Sequence, residues 1–140
     1  MADNAIDTLQ DALTLTVDAE AGYETMVSRA EPEFRHVAVR FREAHNKHAD
    51  QLAAIITAHG GEPDRDGGVF SMVNRAVVSL RSAFDEIDAN VMKQVADGEE
   101  HIIEALGKAG DSLPEGRDLA EVRAMQAELR ELLNDAPGQH

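Results

Sequence analysis

Apolar residues recur at three- and four-residue spacing along most of this chain, and each run ends at a proline or glycine. In the first run Ile6, Leu9, Leu13, Thr16, Glu20, Tyr23 and Val27 share one stripe, predicting a helix over residues 4–30 with Asp3 or Asn4 as its N-cap. The "EPEF" stretch breaks it, because Pro32 fits the first turn of a new helix but not the interior of an old one. A second helix is predicted over 33–59, its stripe being Phe34, Val37, Phe41, His45, His48, Leu52 and Ile55. Gly60 suits a left-handed C-cap there, and Pro63 blocks continuation. Residues 69–84, "VFSMVNRAVVSLRSAF", form a shorter helical pattern with Val73, Val77, Leu80 and Phe84 on one side. After a cap cluster at "DEID", Met92, Val95, Glu99, Ile102, Ile103 and Leu106 mark a helix over 88–109. The last helix, over 115–134, carries Leu119, Val122, Gln126, Leu129 and Leu133, and residues 135–140 form a frayed tail.

Nothing in the pattern alternates with the two-residue period of a strand, so the expected fold is an all-α four-helix bundle. The segment 69–84 decides its topology. Were it part of the third helix, that helix would reach about 40 residues, far beyond the usual globular length. As a helical crossover between the second and third helices, it lets these two run parallel. A chain of 140 residues is enough for one core, so residues 1–140 are expected to form a single domain.

Charge then narrows the chemistry. A formal net charge of -14 repels phosphate backbones and anionic lipid, so neither nucleic acid nor a membrane surface is an expected partner. The start "MADNAIDTLQ" lacks the basic and apolar regions of a signal peptide, and no apolar run matches a membrane span, so a cytoplasmic location is expected. The absence of cysteine removes thiolate and disulfide chemistry and leaves His, carboxylate, amide and hydroxyl groups for any site. No phosphate loop, activated nucleophile or dinucleotide fingerprint is present, and nothing marks the chain as an enzyme.

At 100° per residue every stripe carries a polar residue near its centre. These are Glu20, with Glu24 one turn on; His48, with His45; Glu99; and Gln126. By contrast Glu43, Lys47 and Asp50 point outward, Glu43 and Lys47 as an i,i+4 surface pair, and Glu121, Glu128 and Glu131 fall on the solvated side of the last helix. Counted from the turns, Glu20, Glu24, His45, His48, Glu99 and Gln126 lie near one level of an antiparallel bundle. A buried carboxylate must be paired, hydrogen-bonded, protonated or metal-bound, which leaves two readings. One is a Glu–His–Gln hydrogen-bond network that fixes helix register, with Tyr23 as a further donor. The other is a metal site, since imidazole with carboxylates suits iron, manganese or zinc. Taken singly, His45 reads as a boundary residue, His59 as a helix-end cation, and His36 and His140 as incidental. Gly22 and Gly98, each within two residues of an interior Glu, offer room for close helix approach.

Together "DAEAGY", "HGGEP", "NRAVVSLRSAF" and "DGEE" resemble a bacterial family of ferritin-like four-helix-bundle proteins. That resemblance implies a ferritin-like fold with a helical crossover and brings no established activity. A di-iron ferritin-like protein places single Glu residues on helices 1 and 3 and Glu-x-x-His on helices 2 and 4. Glu20 and Glu99 match the single carboxylates, but helix 2 offers His45-x-x-His48 and helix 4 has no histidine. The resemblance therefore implies at most a single iron, manganese or zinc ion at Glu20, His48 and Glu99, completed by Glu24, His45 or Gln126. The expectation is a non-enzymatic, stress-associated bundle that acts through a protein partner or as a homodimer; the alternative is a metal-binding or redox protein.

Overall fold

The computed structural model describes residues 2–29, 32–65 and 89–135. Four helices account for most of them: α1 (Ala2–Arg29), α2 (Pro32–Ala58), α3 (Ala89–Asp111) and α4 (Arg117–Asp135). The predicted crossover at 69–84, the "DEID" caps and the tail after Asp135 fall outside the described residues, as do the side chains of Phe34 and Met92.

Local chemistry sets the helix ends. α1 begins at Ala2, ahead of the expected caps, and the Asn4 side chain instead donates across the bundle to Ser112 Oγ at 3.2 Å. Pro32 is the first residue of α2, where its missing N–H would have no helical partner in any case. Gly60 closes α2 with φ at +89°. Gly60 N–H donates to the Thr57 carbonyl at 3.0 Å and Gly61 N–H to the Ile56 carbonyl at 2.9 Å, the Schellman arrangement. α4 starts two residues later than predicted because Pro114 and Gly116 remain in the turn after α3.

Cross-helix contacts fix the topology. Gln10 on α1 brackets the backbone of Asp64, just beyond α2, while Tyr23 near the other end of α1 stacks on Phe41 of α2, so the two helices are antiparallel. Asn4 meets Ser112 and Tyr23 meets Glu99, which makes α1 antiparallel to α3. Arg40 pairs with Asp135 and His59 with Asp118, which sets α2 antiparallel to α4. It follows that α2 and α3 run parallel. The helices pack in the cyclic order α1, α2, α4, α3, and the α1–α2 seam is the most extensive. The fully buried Ala12, Ala38 and Ala49 suit such close approach, and Leu9, Leu13, Leu52, Ile56, Ile103, Leu106, Met125 and Leu129 fill the centre.

The glycines divide sharply. Gly98 is exposed, and a Cβ there would meet nothing within 4 Å, so it serves no close helix approach. Gly61 is tight against branched carbons, where a Cβ would lie 2.9 Å from Ile56 Cγ2 and 3.0 Å from Ile6 Cγ2. Gly98→Ala should therefore stabilise the fold by about 1 kcal/mol through helix propensity. Gly61→Ala should destabilise it by about 1–3 kcal/mol through overpacking. Urea denaturation of both variants checks the opposite signs.

Candidate functional site

The interior polar layer is built around one carboxylate. Glu99 on α3 is 1% exposed. From α1, the Tyr23 hydroxyl donates to Glu99 Oε2 at 2.8 Å. From α2, His45 Nε2 lies 2.9 Å from the same oxygen and 3.0 Å from Oε1. Three helices thus meet on one side chain. Aromatic packing holds the donors in place: Tyr23 stacks on Phe41 at 5.1 Å between centroids and on His45 at 5.6 Å. This arrangement follows from the stripes, since residues 41, 45 and 48 rise on one face of α2 at helical spacing.

One turn along, His48 turns to α4. Its Nε2 lies 2.6 Å from Glu128 Oε1, and Lys47 donates to Glu128 Oε2 at 2.8 Å. The His45 and His48 rings meet edge to face at 6.3 Å. Gln126 does not join either histidine: its Nε2 donates to the Ile103 carbonyl at 2.8 Å, and Arg123 donates to its Oε1 at 3.2 Å. Gly107 leaves the necessary room, since a Cβ there would stand 3.1 Å from Gln126 Nε2. Glu20 and the exposed Glu24 line a surface groove of about 610 Å³ with Arg42, Asn46 and Lys47.

Of the expected ligand residues, the structure joins Glu99 to His45 and brings His48 beside His45. Gln126 is engaged elsewhere, and Glu20 and Glu24 line the separate surface groove. Among the described residues, no three His, Asp or Glu side chains converge as a metal-holding group. Three sequence expectations are corrected. His45 is no boundary residue but fully buried, because Phe41, Tyr23 and His48 enclose it. Glu128 is only partly solvated, because its flank of α4 faces α2. Lys47 reaches that same carboxylate instead of Glu43. Tyr23, read from the sequence as a further donor, is central to the cluster.

Among the described residues, several interior polar atoms have no hydrogen-bond partner: Nδ1 of His45, Nδ1 of His48, Oε2 of Glu20 and both oxygens of Asp18. Each histidine directs Nε2 to a carboxylate and leaves Nδ1 unused. Burial holds the His48 imidazole below its ordinary range, outweighing the opposing pull of Glu128, while His45 and Lys47 push the same way as burial. Burial raises the Tyr23 hydroxyl well above the usual tyrosine range, and the neighbouring Glu99 charge adds to it. Although burial pushes Glu128 upward, hydrogen bonds from Lys47 and His48 hold it below the usual carboxylate range. Asp18 is raised by burial.

A family described as a domain of unknown function, DUF2383, matches residues 4–111, more than half of the chain. The chain belongs to this family. No curated protein and no solved structure matches it. The DUF2383 match carries Tyr23, His45 and Glu99, whereas Gln126 and Glu128 lie beyond it on α4.

Two outcomes follow from this DUF2383 cluster. Glu99→Ala leaves the Tyr23 hydroxyl and His45 Nε2 buried without their acceptor, so the loss should reach about 3–5 kcal/mol, against about 1–2 kcal/mol for Tyr23→Phe. Chemical denaturation of the two variants measures the difference. The pH profile has a definite sign on each side. Because the folded pKa of His48 is depressed, the unfolded chain takes up a proton that the folded chain refuses, and stability should fall as pH drops below the ordinary histidine value of 6.5. The folded Tyr23 keeps its proton, so stability should also fall as pH rises above the ordinary tyrosine value of 10.0. Denaturation midpoints across pH test both limbs, and His48→Gln should flatten the acid limb near neutrality.

Proposed function

We propose that this DUF2383 protein is a non-enzymatic bundle of ferritin-like fold that works through a protein partner, and that its interior Glu/His layer serves to select how the helices pair. One observation carries this reading: Glu99 directs both carboxylate oxygens to His45 and one also to Tyr23, so the acid is held by groups from two other helices. A buried carboxylate of this kind penalises every helix register that separates it from its donors, which is how interior polar groups confer specificity. The parallel course of α2 and α3 also supports the ferritin-like assignment, because it is the topology of bundles with one long crossover. Glu99, His45 and Tyr23 are all buried, which supports a role in the packing of the helices.

A second reading rests on the unused Nδ1 atoms of His45 and His48. Buried imidazole nitrogens without partners are ready ligands for iron, manganese or zinc, and Glu99 stands within reach of His45 as a carboxylate ligand. It requires side chains to turn from their present partners, so it is the lesser proposal.

Elemental analysis separates the two. Untagged protein is incubated with iron(II), manganese(II) or zinc(II), desalted and analysed, with melting curves taken before and after chelation. The structural reading expects no stoichiometric metal and unchanged melting. Near one ion per chain, lost in Glu99→Ala and in His48→Ala, with higher melting in the loaded form, would establish the metal reading, because a ligand that binds only the folded state raises its stability.

A further inference from the structure

Tyr23 brings to the polar layer a side chain with redox chemistry of its own. A phenol gives up one electron readily only when its proton leaves with it, because the protonated radical is strongly acidic, so a base must already be hydrogen-bonded to the hydroxyl. Glu99 is that base. The Tyr23 hydroxyl donates to its Oε2 at 2.8 Å. His45 Nε2 lies within reach of both carboxylate oxygens, 2.9 Å from Oε2 and 3.0 Å from Oε1, so it stays bonded through Oε1 when Oε2 takes up a proton. The acceptor is thereby held in place before and after the transfer.

The surroundings suit a radical that persists. Tyr23 is 7% exposed, so its ring is shielded from the couplings that consume phenoxyl radicals at a protein surface. Phe41 and His45 stack with it at interplanar angles of 11° and 16°. Composition adds an independent observation: the chain holds one tyrosine, no tryptophan and no cysteine. An oxidising equivalent on Tyr23 therefore has no other residue of those readily oxidised kinds to move to. The hydrogen bond to a base, the shielding and the isolation all fall on the same side chain.

We propose that Tyr23 is a reversible one-electron donor, with Glu99 as the acceptor of its proton and a radical of the peroxyl class as the oxidant. The electron leaves the phenol ring for the peroxyl radical, which becomes a hydroperoxide anion and takes its own proton from water. The phenolic O–H bond breaks, its proton passes along the hydrogen bond to Glu99 Oε2, and a neutral phenoxyl radical remains beside a neutral carboxylic acid. A one-electron reductant of the ascorbate class restores the ring, and Glu99 returns the proton. The oxidant stays outside the bundle, since an electron, unlike the proton, crosses a layer of side chains without contact. The bundle thus takes up single oxidising equivalents, a role beyond the ordering of its helices and compatible with it.

Flash photolysis of the full-length protein with a ruthenium tris(bipyridine) sensitiser and persulfate tests this, the ruthenium(III) species standing in for the oxidant. Transient absorption and electron paramagnetic resonance follow the phenoxyl radical. The folded parent should give a tyrosyl signal that outlives that of the urea-unfolded chain about tenfold, and its formation should slow in heavy water because the proton moves with the electron. Glu99→Gln keeps a hydrogen-bond acceptor but removes the base, so it should slow radical formation about tenfold, and Tyr23→Phe should abolish the signal. Should Glu99→Gln fail to fold, the solvent isotope effect in the parent decides. No tyrosyl signal in the folded parent, equal rates in light and heavy water, an unchanged rate in a folded Glu99→Gln protein, or a lifetime no longer than in the unfolded chain would overturn the proposal. Urea denaturation of the same variants reads the helix-ordering role separately, so either reading can fail without the other.

Discussion

The fold depends on the hydrogen-bonded carboxylate of Glu99. It comes from α3, is nearly sealed from water, and takes its donors from Tyr23 on α1 and His45 on α2. Apolar side chains tolerate many relative shifts of helices with little loss, because one leucine resembles another. A buried carboxylate does not, since several kcal/mol separate the paired and unpaired states. That asymmetry ties the level of α3 to the α1–α2 hairpin. It matters because α2 and α3 run parallel, so no short turn aligns them.

A second polar station extends the logic to α4. His48 and Lys47 both reach Glu128, and Gln126 grips the backbone of α3 at Ile103. The first station uses a fully buried acceptor and the second a partly solvated one, so they differ in energetic weight. Glu99 lies inside the stretch matched by DUF2383, whereas Glu128 lies in the helix beyond it. The inner cluster therefore belongs to the part of the chain that defines the family match, and the outer one fastens an additional helix.

Much of this was legible from spacing. The stripes marked all four helices, and the polar residue central to each led to Glu99, His48 and Gln126, because period alone tells which face is inward. Pro32 and Gly60 fixed their boundaries through backbone chemistry that is local to them. What spacing could not supply was partnership between helices. Glu128 sits on the flank of its helix, and only the neighbouring position of α2 makes that flank an interface. The sequence singled out Glu20 for the interior layer, and in the fold it lines a surface groove with Glu24 while its Oε2 is shielded from water, because the level and facing of the neighbouring helix, not the stripe, decide what a polar residue meets. Asp18 gave no signal at all: it lies opposite the α1 stripe and is nonetheless buried.

The central claim is that Glu99 and His45 act as one unit that orders the bundle, and a double-mutant cycle measures this directly. Glu99→Leu, His45→Phe and the combined variant are unfolded in urea at neutral pH beside the parent. If the two groups act as a unit, the double variant should be less destabilised than the sum of the singles by about 2 kcal/mol or more, because replacing both partners leaves neither unsatisfied. Strictly additive losses would contradict it, and would mean that the two side chains contribute only their separate packing.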